Sequence, residues 1–367
     1  MHAYPWLIAL DHIPSVGWNT IHSLIELGWE PKEPVPDTLL DQLLLCQVNH
    51  EVIGKMKREL TPRFVEKVIE NLEKLQIQTV TVFDQAYPSL LKEIAQPPFV
   101  LYIRGDLSLL TQKSLAVVGT RKPTPYGLRV TRELVAKMAE RKWVIVSGMA
   151  SGIDGEAHRS ALNVNGKTIA VLGTGVDVIY PKNHRRLYEQ LVENGVVISE
   201  MPPGTQPYPW VFPKRNRIIS GLSHGTLVVE AAEKSGSLIT AEFSMEQGRE
   251  VFAVPGMMTS AQSQGTLKLI QDGAKCVRKP SDILEELEGL HFSDSSPAGL
   301  HNFKQIDLND IEEQVYEHIS PDEPIHMNQL LERINHQKTP GDIHQALITL
   351  EMKQVIASLP GARYIRK

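Results

Sequence analysis

Cysteine, long apolar runs and a basic N-terminal segment are scarce or missing in this chain. Its two cysteines, Cys46 and Cys276, lie far apart and make no metal-ligand spacing, which disfavours a structural zinc site and indicates a reducing compartment. No run of ~18 apolar residues occurs, which predicts no membrane-spanning helix. The N-terminus contains Asp11 and Pro14 and no basic region, which disfavours a signal peptide. Together these absences predict a cytoplasmic protein.

The signatures of common enzymes are missing as well. The sequence contains no Walker A lysine, no serine in a G-x-S-x-G elbow and no H-E-x-x-H zinc motif. The first predicted strand of the central region is followed by Gly119-Thr120-Arg121 and not by the G-x-G-x-x-G fingerprint of dinucleotide-binding domains. We therefore expect no catalytic residue, no metal ion and no cofactor.

Charge is distributed unevenly along the chain. The net charge of −5 disfavours a nucleic-acid partner at first sight. Residues 1–113 carry 10 Lys and Arg against 14 Asp and Glu, residues 114–290 carry 21 against 18, and residues 307–367 carry 6 against 10. A basic middle between acidic ends is compatible with a local site for a polyanion.

Residues 114–290 alternate between apolar strands and helices. The strand-like segments are Leu115–Val118, Val144–Ser147, Thr168–Leu172, Val196–Ser199, Gly225–Val229 and Glu250–Val254. Apolar strands that are followed by polar or Gly-containing turns and helices predict a Rossmann-like, doubly wound, mostly parallel sheet of the α/β class. Right-handed crossovers place most of these turns at the carboxyl edge of the sheet, where ligands bind.

The flanking regions predict two smaller domains. Residues 1–75 predict a helical domain, in which the turn at Gly17 resembles half of a helix-hairpin-helix, although a packing domain is favoured over a DNA grip. We assign residues 76–290 to the extended Rossmann-like domain and the polar residues 291–307 to a linker. Residues 308–367 combine three helices with a β-like end, which resembles a winged helix. Few cations lie on its third helix, so a protein-contact or regulatory role is favoured over major-groove binding.

The most informative stretch of the chain is residues 208–222. It contains two aromatic residues, Trp210 and Phe212, directly before a basic cluster. The cluster consists of Lys214, Arg215, Asn216 and Arg217. Cations neutralise phosphates, and an aromatic ring can stack on an unpaired base. Because the run then becomes apolar and helical, we expect the cluster where a loop enters a helix and free backbone N–H groups favour an anion. The alternative is a solvated basic turn whose aromatic residues pack in the core.

Other turns after the predicted strands are suited to phosphate. The residues that would let a phosphate approach the backbone are Gly119, Thr120, Ser147, Gly148, Ser151, Gly152, Gly173, Ser235, Gly236 and Ser237. Arg121 can pair with a phosphate through two hydrogen bonds. Lys182 is the natural cation after the third strand, and Tyr180 beside it is a possible surface for base stacking.

Three titratable residues leave a catalytic and a structural interpretation open. Asp154 and His158 are four positions apart on one helix face and are compatible with an acid-base pair or a metal site. A helix cap and a hydrogen-bonded structural histidine are the favoured interpretation. Glu230 ends an apolar strand, where satisfying neighbouring donors is commoner than catalysis.

Together these motifs resemble the DprA (Smf) DNA-processing family. The matching segments follow in order over about residues 80–290 and begin at Val118, Ser147, Gly173, Tyr180, Phe212, Glu230 and Val254. The combination is highly specific. The helical N-terminal region and the winged-helix-like tail also fit the layout of that family.

The resemblance implies a binder of single-stranded DNA without known catalytic turnover. Members protect incoming DNA during natural transformation and load the RecA recombinase onto it. By the same resemblance, Arg121 and the basic loop of residues 214–217 bind the DNA, with Lys182 as a further contact. The resemblance also implies a homodimer formed through the Rossmann-like domain, and no membrane partner.

A nucleotide-processing enzyme is the alternative. Gly225-Thr226 followed by Glu230 resembles the P-G-G-x-G-T-x-x-E motif of phosphoribohydrolases that share this Rossmann variant. Ser223 and His224 occupy the positions of two glycines of that motif, which impairs the close approach of a nucleotide to the backbone. The binder of single-stranded DNA is therefore favoured.

Overall fold

The computed structural model of the protein describes residues 3–289, 308–320, 323–334, 339–353, 355–359 and 361–366. The chain divides into two compact units, Met1–Leu290 and His291–Lys367. The predicted linker, residues 291–307, lies outside the described residues. None of the helices in the described parts of the chain is long and apolar enough to cross a lipid bilayer.

Five helices begin the first unit: α1 Pro5–Asp11, α2 Trp18–Glu26, α3 Asp37–Gln42, α4 His50–Glu59 and α5 Pro62–Lys74. The start of α5 follows from local chemistry, because the Thr61 hydroxyl accepts a hydrogen bond from the N–H of Phe64 and Pro62 fixes a helical φ. Leu7 and Leu24 of these helices are fully buried in the same core as Tyr102 of the sheet. The helical region therefore shares its core with the sheet.

A nine-stranded sheet forms the centre of this unit. Its strands are β1 Gln78–Thr81, β2 Val100–Gly105, β3 Ser114–Val118, β4 Val144–Ser147, β5 Thr168–Leu172, β6 Val196–Ser199, β7 Gly225–Val228, β8 Glu250–Ala253 and β9 Lys275–Cys276. Their order is β1-β2-β6-β5-β4-β3-β7-β8-β9. All pairs from β6 to β9 are parallel, whereas β2 pairs antiparallel with both β1 and β6.

Helices cover both faces of the sheet. They are α6 Ser89–Lys92, α7 Pro125–Glu140, α8 Ile153–Asn163, α9 Arg185–Asn194, α10 Val211–Gly221, α11 Gly236–Glu246, α12 Gln264–Gln271 and α13 Pro280–Glu288, with short 3-10 turns at Leu107–Thr111, Lys182–His184 and Ala261–Ser263. Along β3, Ala116 and Val118 belong to one apolar core, whereas Leu115 and Val117 belong to a second core. This alternation is that of a strand buried on both faces, as in a doubly wound sheet.

The α/β prediction is confirmed. Each of the six predicted strands is present and differs from its expected bounds by no more than one residue. The two-residue strand β9 was not predicted, since so short a segment carries no apolar pattern of its own.

The second unit contains α14 Asp310–Glu317, β10 Ile325–His326, α15 Met327–Arg333, α16 Pro340–Met352, β11 Ile356–Leu359 and β12 Arg363–Arg366. The strands form an antiparallel sheet in the order β10-β12-β11. Val315, Leu330, Leu347 and Ile356 lie in its apolar core. Three helices with a small antiparallel sheet match the winged-helix prediction, which had missed β10.

Candidate nucleic-acid interface

A cavity of about 520 Å³ opens at the carboxyl edge of the parallel strands. Its lining comes from the segments after β3, β4, β5, β6 and β7 and from helices α8, α10 and α11, and includes Arg121, Asp154, Phe212, Asn216 and Ser235. A smaller cavity of about 50 Å³ shares Arg121, Tyr180 and Phe212 with it. Turns that are far apart in sequence therefore meet at one place, as expected for a doubly wound sheet.

A cation and two aromatic rings meet at this edge. The guanidinium carbon of Arg121 lies 5.9 Å from the ring centroid of Phe212, within the range of a cation–π contact. The ring of Phe212 packs against the ring of Tyr180, with centroids 5.3 Å apart and planes inclined by 35°. Arg121 is exposed, and Tyr180 keeps 39% of its surface exposed. Three residues predicted from three separate motifs thus form one solvent-facing cluster.

The backbone before Arg121 is held by its neighbours. The N–H of Thr120 donates to the carbonyl oxygen of Glu230 at 2.7 Å, and the N–H of Ile153 donates to the carbonyl oxygen of Thr120 at 3.2 Å. Gly152 packs so closely that a Cβ there would lie 2.3 Å from the carbonyl oxygen of Thr120, and its φ is +86°. Glycine is required at this position by both the contact and the left-handed backbone.

Arg215 is buried, in contrast to the expectation of a solvent-facing contact. Only 7% of its surface is exposed, and its Nη1 donates to the carbonyl oxygen of Gly148 at 2.8 Å and to that of Val171. Burial lowers the pKa of Arg215 to about 10, opposed by the charge of Asp154. The guanidinium thus ties the turn after β4 to strand β5, and its Nη1 and Nε donate to acceptors inside the protein.

Arg217 is buried as well and shares a carboxylate with Lys214. Its Nη2 donates to Oε1 of Glu200 at 2.6 Å, and Nζ of Lys214 lies 3.4 Å from Oε2 of the same residue. The side chains of Arg217 and Glu200 are 7% and 12% exposed, whereas that of Lys214 is 36% exposed. Of the three cations in the basic cluster, Lys214 is therefore the one that reaches solvent.

The basic cluster lies inside helix α10 and not where a loop enters it. The helix begins at Val211, so residues 214–217 occupy its second turn. Backbone N–H groups at such positions donate to carbonyl oxygens one turn earlier. The expectation of free N–H groups beside the basic cluster was therefore wrong, because the helix begins before the aromatic Phe212 and not after it.

The turns predicted to cradle phosphate divide into two groups. Those that line one of the two cavities are Gly119, Gly148, Ser151, Gly173, Ser235, Gly236 and Ser237. Thr120, Ser147 and Gly152 line neither. The hydroxyl of Ser147 is fully buried and donates to the carbonyl oxygen of Val117 at 2.6 Å, so it acts within the sheet.

Asn216 and Lys182 differ in their surroundings. The Nδ2 of Asn216 donates to the carbonyl oxygen of Gly236 at 3.2 Å and so connects α10 with the start of α11. Lys182 lies exposed in the turn that follows Tyr180. Its charge is thus available near the aromatic cluster, whereas Asn216 orders the wall of the cavity.

Asp154 and His158, for which a catalytic and a structural interpretation were left open, are both buried and hydrogen-bonded within the protein. Asp154 is not the N-cap of helix α8, which is Gly152; its carboxylate instead accepts a hydrogen bond from the N–H of Gly148 at 3.2 Å, and burial raises its pKa. His158 is fully buried with Nδ1 2.7 Å from Oγ1 of Thr168, and burial lowers its pKa to about 3. Among the residues that the structure describes, no three His, Cys, Asp or Glu side chains group as metal ligands.

Glu230 holds the start of helix α7. Its two carboxylate oxygens accept from the N–H of Thr124 at 2.9 Å and from the Thr124 hydroxyl at 2.5 Å, and 2% of its surface is exposed. A Cβ at Gly127 would lie 2.1 Å from Oε2 of Glu230, so the helix approaches the carboxylate closely. The favoured structural interpretation of Glu230 agrees with these contacts.

Two features of this edge had no role in the sequence predictions. Glu200 follows β6 directly, and no pattern near it indicated that two cations would turn towards it. Tyr208, which lies between two prolines, is 51% exposed. The sequence did contain a signal for an exposed Tyr208, namely an aromatic residue in a proline-rich loop beside a basic cluster.

Comparison with known proteins agrees with this architecture. The family described as DNA recombination-mediator protein A matches residues 78–288, and the DprA winged helix domain matches residues 302–362. The DNA processing protein DprA of Bacillus subtilis is 41% identical over 278 residues, which cover 75% of this chain and 93% of that protein.

Solved structures of DprA proteins are similar to the chain. The X-ray structure of DprA from Streptococcus pneumoniae has a TM-score of 0.69 and 36% identity, covering 78% of this chain and 98% of that one. DprA from Helicobacter pylori, whose structure was described for its single-stranded DNA binding mode, has a TM-score of 0.54 and 30% identity, covering 58% and 96%. Since the matched family spans more than half of the sequence and the relatives align over nearly their whole length, this chain belongs to the DprA (Smf) family of DNA recombination-mediator proteins.

Proposed function

We propose that the protein binds single-stranded DNA at the carboxyl edge of its parallel sheet and acts as a recombination mediator. The observation that carries the proposal is the cluster of Arg121, Phe212 and Tyr180 at the mouth of the cavity. An exposed guanidinium pairs with a phosphate, and rings beside it offer faces to unpaired bases. The DprA of Helicobacter pylori, whose structure was described for its single-stranded DNA binding mode, supports the same ligand.

The structure divides the predicted contact residues by accessibility. We assign phosphate contact to Arg121, Lys214 and Lys182, and base stacking to Phe212 and Tyr180. The buried residues Arg215 and Arg217, together with Asn216, instead hold the wall of the site in place, since Nη1 of Arg215, Nη2 of Arg217 and Nδ2 of Asn216 each donate to a protein acceptor. Loading of RecA and dimerisation through the Rossmann-like domain remain part of the proposal on the strength of the family resemblance.

The phosphoribohydrolase alternative depended on Glu230 as a catalytic carboxylate. That side chain is 2% exposed and both of its oxygens bond to Thr124. A general base must come within hydrogen-bond reach of its substrate, and this carboxylate does not line the cavity. We therefore retain the binder of single-stranded DNA as the proposed function.

Titration of a fluorescent oligo-dT at two salt concentrations tests this function, with a duplex of equal length as competitor. We expect tight, salt-sensitive binding that the duplex does not displace. Arg121→Ala should lower the affinity at least tenfold and reduce the slope of log K against log salt by about 0.7, because each released phosphate contact of a single strand contributes that amount. Lys214→Ala should act in the same direction but less, since Glu200 already neutralises part of its charge.

Arg58→Ala is the matched control, because Arg58 is an exposed arginine on the N-terminal helix α4. It should leave the affinity and the salt dependence unchanged. Unchanged affinity in both Arg121→Ala and Lys214→Ala would refute the assigned site. Absence of oligo-dT binding to the unaltered protein at low salt would refute the function itself.

A further inference from the structure

The loop that leads into α10 is stiff and anchored. Between the end of β6 and Trp210 it contains four prolines, at positions 202, 203, 207 and 209. The N–H of Gly175 donates to the carbonyl oxygen of Thr205 at 3.0 Å, and the N–H of Gly204 donates to Oδ1 of Asp177 at 2.8 Å. Proline fixes φ, so this segment has few conformations to lose when it binds a ligand.

Two aromatic side chains project from this loop into solvent. Tyr208 is 51% exposed and Trp210 is 61% exposed. Their rings are nearly parallel, with centroids 6.3 Å apart and planes inclined by 7°. Large aromatic side chains normally bury most of their surface, and the fold gives no reason for holding two of them in parallel outside the core.

The pair continues the site at the sheet edge. Pro207 and Pro209, which flank Tyr208, both line the larger cavity. Trp210 has the helical backbone angles φ −72° and ψ −21° directly before α10. Lys214, four residues on, therefore lies one turn further along the same face of the helix. Lys214, whose side chain is 36% exposed, thus follows the exposed Trp210 by one helical turn, whereas the cation beside Phe212 is Arg121.

We propose that Tyr208 and Trp210 form an additional base-stacking surface for the strand that occupies the cavity. This inference rests on the proposed function and extends it, because the bound strand would continue past the cavity by at least one nucleotide. The occupant is an unpaired nucleobase, since stacking on an aromatic ring accepts any base and requires a free face. Lys214 then neutralises the phosphate that joins the stacked base to the nucleotides in the cavity.

Tryptophan fluorescence tests the stacking surface directly. The chain has five tryptophans, of which Trp29 and Trp143 are 3% and 2% exposed, Trp6 and Trp18 are half-buried, and Trp210 is exposed. Binding of a long oligo-dT should quench the emission of the unaltered protein, and Trp210→Phe should abolish this quenching. A duplex of the same length should cause no quenching, because its bases have no free face.

Affinity for a labelled oligo-dT, measured by anisotropy, provides a second readout. Trp210→Ala should weaken binding of a long oligo-dT about tenfold. The same substitution should change the affinity little for the shortest oligo-dT that still binds, because that oligonucleotide fills only the cavity. Trp210→Phe should restore most of the affinity, since it keeps a ring. Leu45→Ala, which removes an exposed apolar side chain elsewhere, is the control and should behave like the unaltered protein.

The outcomes separate this inference from the function on which it rests. If the labelled oligo-dT binds the unaltered protein and Trp210→Ala equally well without quenching, the stacking surface is refuted and the binding function stands. If the labelled oligo-dT does not bind at all, both fail. Acrylamide quenching of Trp210 should also be measured without DNA at rising protein concentration. If Trp210 becomes shielded from acrylamide as the protein concentration rises, the two rings are buried in an interface between protein copies, which also overturns the inference.

Discussion

The carboxyl edge of the large sheet and the third helix of the winged-helix unit present different chemistry. At the sheet edge, Arg121 lies over Phe212, which packs against Tyr180, and the cluster opens into a cavity. Helix α16 contains no lysine or arginine, and it exposes Ile348 and Met352 by 43% and 79%. The first surface suits a polyanion with unpaired bases, whereas the second suits an apolar partner.

This difference shows that the two units cannot be assigned a ligand from their folds alone. A winged helix that reads duplex DNA inserts a helix into the major groove and neutralises phosphates with cations. Helix α16 offers two exposed apolar side chains four positions apart, on one face. We therefore expect the winged-helix unit to contact protein and the sheet edge to contact DNA.

The largest expected effect belongs to Arg215→Met, which removes one of the two buried cations of the sheet edge. The carbonyl oxygens of Gly148 and Val171 would lose a donor, and Asp154 would lose its neighbouring charge. Breaking one side of such a buried network costs about 3 kcal/mol. Urea unfolding should show this loss of free energy of unfolding, together with weaker binding of oligo-dT.

Arg121→Ala is the matched comparison for this variant, because it removes an exposed cation from the same edge. It should lower affinity for oligo-dT while leaving the free energy of unfolding within about 0.5 kcal/mol of the original. Arg215→Lys should recover part of the stability, since lysine keeps the charge but not the planar fork of donors. If Arg215→Met unfolds like the original protein and only its binding falls, Arg215 is a DNA contact after all.

A smaller effect in the opposite direction is expected from Glu200→Gln. This carboxylate faces both Lys214 and Arg217, and it reduces the positive charge of the edge. The amide can still accept the hydrogen bond of Arg217, whereas Lys214 becomes free to meet a phosphate. We expect affinity for oligo-dT to rise about threefold at low salt, with a steeper salt dependence.

Glu193→Gln is the control, since it removes an exposed carboxylate from helix α9 and has the same effect on net charge. It should change the affinity less than Glu200→Gln does. Equal gains in the two variants would mean that net charge and not the position of Glu200 sets the affinity. A loss of affinity in Glu200→Gln would mean that the carboxylate mainly keeps Arg217 in place.

The strands were predictable because their signal is local. From β3 to β8, each strand is a run of apolar residues with a turn residue after it, and no remote partner is needed to recognise it. The meeting of Arg121, Tyr180 and Phe212 could also be expected. Parallel strands send their carboxyl ends to one edge, so turns after different strands converge.

The accessibility of the cations was not predictable in the same way. Arg215 and Lys214 are adjacent in sequence and equal in charge, yet one is buried and the other reaches solvent. The acceptors around Arg215 are carbonyl oxygens of Gly148 and Val171, and position 148 has room only for glycine, because a Cβ there would lie 2.5 Å from Nη2 of Arg215. A glycine in a turn does not tell which distant cation will pack against it, so only the three-dimensional arrangement separates the two cations.

Deletion of residues 291–367 should have the smallest effect on binding. The cavity and its cations lie within the first unit, which has its own apolar cores. Affinity of the truncated protein for oligo-dT should stay within about twofold of the original, with the same salt slope, because no phosphate contact is removed. Circular dichroism and urea unfolding would establish that the truncated chain is folded. A folded truncation that loses most of its affinity would show that the winged-helix unit contacts the strand despite its lack of cations on α16, and the contrast between the two surfaces would no longer hold.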